Sequence, residues 1–142
     1  MTKFLEVQVI DQLLDDAPTS KTSDWVDVRE YDQITFCLVS NVTAVGAAPQ
    51  VTYTVQVLTG STTLSATGLP TDGTARTYDK LLALGGTDAP VASVVHSADA
   101  TAFVAISPED AVGWVRVVAT GANTDADDTV DCDVFLLAKG GR

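Results

Sequence analysis

The sequence predicts an all-β fold: a two-layer β-sandwich or barrel of about eight strands, jelly-roll or immunoglobulin-like, with one or two short helical turns. Three observations predict it. Of 142 residues, twenty are Val and nineteen are Thr, both β-branched and suited to a pleated sheet. Sixteen of the nineteen acidic residues are Asp and only three are Glu; Asp favours turns and caps, whereas Glu builds helices. Apolar residues also recur with period two in short runs divided by turn residues. No amphipathic segment of about 10–15 residues separates those runs, as a parallel α/β fold would require.

The elements follow in order. Residues 3–10 alternate, with Leu5, Val7 and Val9 on one side and Glu6 and Gln8 on the other. Asp15 to Ser23 is polar, holds Pro18 and lacks periodicity, so it reads as a linker. Strands are expected from Trp25 to Val28 and from Ile34 to Val39, the latter with Ile34, Phe36 and Leu38 on one face. A small, Pro-containing loop runs from Val42 to Gln50. Val51, Tyr53, Val55 and Val57 then alternate with Thr52, Thr54 and Gln56, the cleanest half-buried strand in the chain.

Thr59-Gly60 and Asp72-Gly73 are turn signals, the second of the tight-hairpin kind. Tyr78 to Leu84 is one candidate for a short helix. Residues 91–97 and 102–107 read as strands. Ser107-Pro108-Glu109-Asp110 opens like a helix, Ser at the N-cap and Pro at the first helical position, and Gly113 stops it after about one turn. Trp114 to Ala119 is a strand, and Gly121 to Thr129 an acidic loop. The last strand places Val130, Cys132, Val134 and Leu136 inward and Asp131 and Asp133 outward.

Domain organisation is read as an N-terminal strand or arm with its linker, residues 1–23, followed by one β-sandwich domain, residues 24–142. The arm holds Phe4, Leu5, Val7, Val9, Leu13 and Leu14, apolar side chains that need burial. A lone strand leaves its backbone groups unpaired, so it must add to a sheet edge. That edge belongs either to a neighbouring subunit or capsid, reached by β-augmentation, or to its own domain. These six residues are therefore the candidate interface.

Charge narrows the function classes. The net charge is −11 and the eight basic residues are scattered, so direct nucleic-acid binding, which relies on clustered Lys and Arg, is not expected. No apolar run approaches the roughly 20 residues that cross a bilayer. The N-terminus is interrupted by Glu6, Asp11, Asp15 and Asp16 where a secretory signal would be continuous. Synthesis in the cytoplasm and no membrane partner are expected.

Searching for chemistry yields no catalytic set, and the chain is expected not to be an enzyme. His96 stands in a strand-like run with no nucleophile-elbow or phosphate-loop pattern around it. Cys37, Cys132 and one His do not supply a zinc site. The two Cys could bridge if their strands were neighbours, but cytoplasmic folding favours free thiols. Asn123 to Asp128 concentrates oxygen ligands yet lacks the Gly and distal Glu of a Ca²⁺ loop, so a passive acidic hairpin end is expected. Neither a metal nor a cofactor is expected. Trp25, Trp114 and Tyr53 could stack on sugars if a single exposed face presented them together; otherwise they pack within the fold.

The segment Asp24-Trp25-Val26-Asp27-Val28-Arg29-Glu30-Tyr31-Asp32-Gln33-Ile34-Thr35-Phe36 resembles a pattern of small β-sandwich virion proteins of tailed bacteriophages. Val112-Gly113-Trp114-Val115-Arg116-Val117-Val118 is similar to their penultimate strand, and a Gly/Asn/Asp loop leads into a final strand, here Val130–Ala138. The resemblance covers residues 24 to 139 in outline. It implies a non-enzymatic structural protein of the virion, a capsid decoration or cement protein stabilising the head lattice. Its partners would be the major capsid protein and copies of itself. The alternative is a carbohydrate- or receptor-binding module of a phage tail or head fibre. The segment before Asp24 and the turn-rich middle from Gly60 to Gly86 depart from the pattern and leave the location within the virion open.

Overall fold

A computed structural model describes residues 3–84, 89–107 and 113–141. Among the described residues eleven strands follow one another: β1 (Lys3–Leu14), β2 (Ser20–Thr22), β3 (Val26–Asp27), β4 (Gln33–Thr43), β5 (Gln50–Thr59), β6 (Thr74–Tyr78), β7 (Leu82–Ala83), β8 (Val94–His96), β9 (Ala100–Ile106), β10 (Trp114–Ala122) and β11 (Thr129–Gly140). They form two antiparallel sheets. The first has the order β1-β11-β4-β9-β7; the second has the order β2-β10-β5-β6, with β3 added to β10 and β8 to β5. The β-sandwich expected from composition and period is present. The three strands beyond the expected eight are β2, β6 and β7, of three, five and two residues, too short or too uniformly polar to show a period-two apolar pattern.

Alternation builds the core. Ile34, Phe36 and Leu38 of β4, Val130, Cys132, Val134 and Leu136 of β11, and Val104 and Ile106 of β9 face Val51, Tyr53, Val55, Val115, Val117 and Ala119 of the second sheet. Each is buried. Fully burying one such aliphatic or aromatic side chain contributes about 1.5–3 kcal/mol, so this row is the main source of stability.

The N-terminal segment takes the second of the two places open to it, an edge of its own domain. β1 is a strand of the sandwich, paired antiparallel with β11 from Lys3↔Gly140 to Leu14↔Val130. The register shifts between Gln8 and Ile10. Before this bulge Leu5 and Val7 point inward; after it Ile10 and Leu14 do, and both of these are fully buried. An inserted residue in one strand re-phases its side chains. That is how the run Val7-Gln8-Val9-Ile10 keeps apolar residues inside although strict alternation breaks. Most of the burial that suggested an external partner is met at home: Leu5, Val7 and Val9 pack against the core and Leu14 lies within it.

The linker is corrected. After a cis Ala17-Pro18 bond, β2 joins β10 in the second sheet. Residues 3–23 thus supply one strand to each layer and are paired into the sheets of the following domain.

The short helix considered for Tyr78 to Leu84 is absent. Tyr78 ends β6 in the second sheet, Leu81 bridges to Val91, and β7 pairs with β9 in the first. The chain is changing layers, and burying Tyr78 and Leu81 on an extended path satisfies the same spacing. Beyond Ser107, the helical turn expected at Pro108 lies outside the described residues. Asp72-Gly73 does not make a two-residue hairpin. Instead β5 and β6 enclose residues 60–73, and Gly73, at φ 100°, closes the base of that loop. A Cβ there would sit 2.9 Å from the Thr59 carbonyl oxygen. Asp72 ties the loop by accepting hydrogen bonds from the Thr62 and Thr63 amides and the Thr62 hydroxyl.

Candidate functional site

The outward side of the first sheet is the candidate. On β11 the outward residues run Asp131, Asp133, Phe135, Leu137, Lys139. Register places Cys37 opposite Phe135, Thr35 opposite Leu137 and Val39 opposite Asp133. One strand further, Phe103 lies opposite Cys37 and Ala105 opposite Thr35, and Leu82 of β7 lies beyond Ala105. A row of apolar side chains therefore crosses four strands on the solvent side. Phe103 is 43% exposed and Leu82 46%. A sheet with one wet face ordinarily presents polar residues there, so this row is a contact-surface signal.

One end of the face is acidic, and the other holds Lys139 together with Glu6. At one end the carboxylates of Asp11, Asp131 and Asp133 lie within 4.8 Å of one another. Burial, followed by the neighbouring Asp131 and Asp11 charges, raises the Asp133 carboxyl above its ordinary range. Gln8 donates one hydrogen bond to it. At the other end Lys139 is exposed beside a shallow groove lined by Phe4, Glu6, Gln33, Thr35 and Leu137. Among the six candidate interface residues, Phe4 (75% exposed) and Leu13 (45%) are open to solvent. Phe4 is opposite Lys139 and Leu13 opposite Asp131. Leu13 thus stands beside an acid, and Phe4 beside a base with Glu6 in the same groove.

Sequence reasoning missed Phe103, Phe135, Cys37 and Leu137. A signal existed: Val134-Phe135-Leu136-Leu137-Ala138 is a continuous apolar run, which marks a strand covered on both faces.

The other candidates sit elsewhere. His96 is 7% exposed and Ser40 1%, both between the sheets. The Ser40 hydroxyl lies 2.8 Å from His96 Nδ1 and 2.6 Å from the Tyr53 hydroxyl. This is a serine–imidazole pair by distance, but it is enclosed in the sandwich, where it bridges β4 of one layer to β5 and β8 of the other. Burial lowers the His96 pKa and raises that of Tyr53, so both stay neutral and act as hydrogen-bonding groups. Cys37 points outward and Cys132 inward on adjacent strands, a geometry that cannot bridge.

In the acidic loop, Asp125 accepts from the Asp127 and Asp128 amides. Asp128 accepts from the amides of Val45, Gly46 and Ala47, which hold its carboxyl below the usual range. These oxygens pin the loop to the β4–β5 connection. The three aromatic rings considered for sugar stacking share no open face. Tyr53 is in the core, the Arg116 guanidinium lies 4.2 Å over Trp25, and that of Arg29 5.6 Å over the buried Trp114.

No helix among the described residues is long and apolar enough to cross a membrane. No family model and no curated protein matches the chain. Among solved structures, the chain is similar to one in the structure of infectious bursal disease virus, Gx strain, at 10% identity and a TM-score of 0.45. The match covers 99% of this chain and 32% of the other, so this chain spans about a third of the length of that one.

Proposed function

We propose that this chain is a non-enzymatic structural protein of a tailed-phage virion, a decoration or cement protein made in the host cytoplasm that seats on the head lattice. The observation that carries the reading is the apolar row Leu82, Phe103, Cys37 and Phe135 on the solvent side of the first sheet. A surface of this kind contributes by contact, and aromatic side chains are enriched where proteins bind one another. The likeness of residues 24–139 to small phage β-sandwich proteins supports the virion setting, and the major capsid protein is the partner it implies. Neither nucleic acid nor membrane suits a chain of net charge −11.

The test is co-sedimentation of the purified chain with tailed-phage capsids, run beside a glycan array. Binding to capsids that is lost in Phe103→Lys supports the proposal. Binding to glycans without capsids replaces it with the tail- or head-fibre module.

A further inference from the structure

We infer that a pocket on the outward side of the second sheet, between Arg116 and the loop of residues 60–73, binds an acidic sugar, a pyranose whose carboxylate meets the Arg116 guanidinium and whose hydroxyl meets Asp72. The site lies on the other sheet from the proposed capsid contact and does not depend on it.

One cation stands apart from the rest. Every other described lysine and arginine is exposed, and Arg116 is half-buried. Burial penalises its charge and draws its pKa below the ordinary value. No carboxylate answers it: the ion pairs among the described residues are Lys3–Glu30 and Arg29–Asp27. A chain with nineteen acids does not lack a carboxylate to supply. A cation withdrawn from water without a counter-charge is costly unless a ligand provides one.

The contacts that hold Arg116 leave its anion-binding side open. Cζ lies 4.2 Å from the centre of the Trp25 ring, which fixes the guanidinium plane. Nε donates to Gln56 Oε1 at 2.7 Å. Neither Nη group has an acceptor among the described residues. A guanidinium oriented in this way is the planar fork that takes a carboxylate through two parallel hydrogen bonds.

The pocket supplies a second pole. It holds about 230 Å³ and is lined by Trp25, Arg116, Leu58, Ala75 and the turn from Pro70 to Gly73. Asp72 and Arg116 share this lining yet form no ion pair, so a ligand can stand between them. Asp72 Oδ1 accepts from the Ser61 hydroxyl and the Thr62 and Thr63 amides. These donors and the Thr62 hydroxyl hold its carboxyl well below the usual range. Oδ2 accepts from the Thr62 hydroxyl alone and keeps a lone pair for one more O–H. Leu58, Pro70 and Ala75 offer apolar contact to the C–H face of a ring.

This pair of poles selects the ligand class. A neutral sugar leaves the guanidinium unanswered. An acidic peptide side chain brings a carboxylate but no hydroxyl for Asp72. A hexuronate brings both. The volume lies below the about 300–1,000 Å³ of sites for larger ligands, which suits a single ring. The net charge of −11 opposes any anion, over a distance that salt at about 0.15 M screens to about 8 Å.

The experiment is NMR titration of the whole isotope-labelled chain, followed at the Trp25 indole and the Arg116 Nε–H, with glucuronate, glucose and N-acetylglutamate amide. Glucuronate should shift both signals and saturate them in the millimolar range. Glucose should bind about tenfold more weakly or worse, because it leaves the buried cation unpaired. Arg116→Gln should lose about tenfold or more in affinity, and Arg116→Lys, which keeps the charge without the fork, should fall between. Asp72→Asn should weaken binding several-fold. Circular dichroism of each variant checks the fold, and the Arg116 variants keep the test open if Asp72→Asn disturbs its loop.

No shift with glucuronate at tens of millimolar overturns the inference. So does glucose binding as tightly as glucuronate, or binding indifferent to Arg116→Gln. N-acetylglutamate amide binding as tightly as glucuronate also overturns it and makes the pocket a site for acidic peptides.

Discussion

The two sheets share an interior and differ outside. On the second sheet the outward residues Thr52, Thr54, Gln56, Thr77, Thr120 and Arg116 are interspersed with Val118 and Val95, and its tryptophans lie beneath arginines. On the first the outward row is Phe135, Cys37, Phe103 and Leu82. Folding alone asks only for the inner rows, so threonine on one outer face and phenylalanine on the other cannot both be consequences of the core. The first sheet instead sets two phenylalanines in its outward row, the feature on which the proposed contact role rests.

The largest expected effect tests whether β1 belongs to the first sheet in solution. Deleting residues 3–14 removes Ile10 and Leu14 from the core, about 3–6 kcal/mol of burial, and exposes the edge of β11. Domains of this size are stable by only about 5–15 kcal/mol. The truncated chain should be unfolded, or should melt far below the full chain by circular dichroism. A truncated chain with an unchanged melting temperature would make β1 an appendage and return its apolar residues to the role of an arm.

Next in size is a contrast across one layer. Phe36→Ala, facing inward on β4, should cost about 3–5 kcal/mol in urea denaturation. Phe103→Ala, on the outward side of the neighbouring strand, should cost less than about 1 kcal/mol. Equal costs would mean that Phe103 is already covered within the chain, and the difference between the outer faces would lose its meaning.

Why one face could be read in advance and the other could not follows from what alternation encodes. In β5, Val51, Tyr53 and Val55 alternate with Thr, so the sequence states both which side is buried and which is wet. In β4 and β11 apolar residues occupy both sides. The inner row was still legible through Phe36, Val134 and Leu136, but nothing in the alternation marked Phe135 and Cys37 as parts of one outward row. The Val9 bulge was hidden because period two cannot register one inserted residue. The opposite charges of Asp131 and Lys139 were visible, yet only the register with β1 and β4 turns them into the ends of a surface. The enclosed Ser40–Tyr53–His96 contact was illegible for the same reason, since its members come from three strands in two sheets.

A smaller effect belongs to the second sheet. Arg116 stacks on Trp25 and donates to Gln56 at 2.7 Å. Arg116→Ala should cost about 1 kcal/mol, the sum of a partly exposed cation–π contact and one hydrogen bond. It should also shift tryptophan emission to the red as Trp25 loses its cover. Capsid binding should be unchanged. Its loss would place the capsid contact on the second sheet and reverse the comparison.

The smallest effect concerns what joins the sheets. Burial sets the folded-state pKa of His96 below the ordinary 6.5, while the unfolded chain takes up its proton near that value. Between those two values the unfolded state holds more protons than the folded one, so stability falls as pH falls from about 6.5, and the loss stops growing below the folded pKa. Its slope cannot exceed about 1.4 kcal/mol per pH unit for one proton. Asp27, Asp72 and Asp128, whose carboxyls are held low, lose their contribution only below the ordinary carboxylate range. Asp133, held high, works in the opposite sense as acid relieves its repulsion. The diagnostic is therefore a difference between two chains. The wild type should melt lower at pH 5.5 than at pH 7.5, and His96→Gln should be flatter across that interval, whatever its own stability. Parallel curves would mean that water reaches the ring and that the two sheets part more readily at this end than their packing implies.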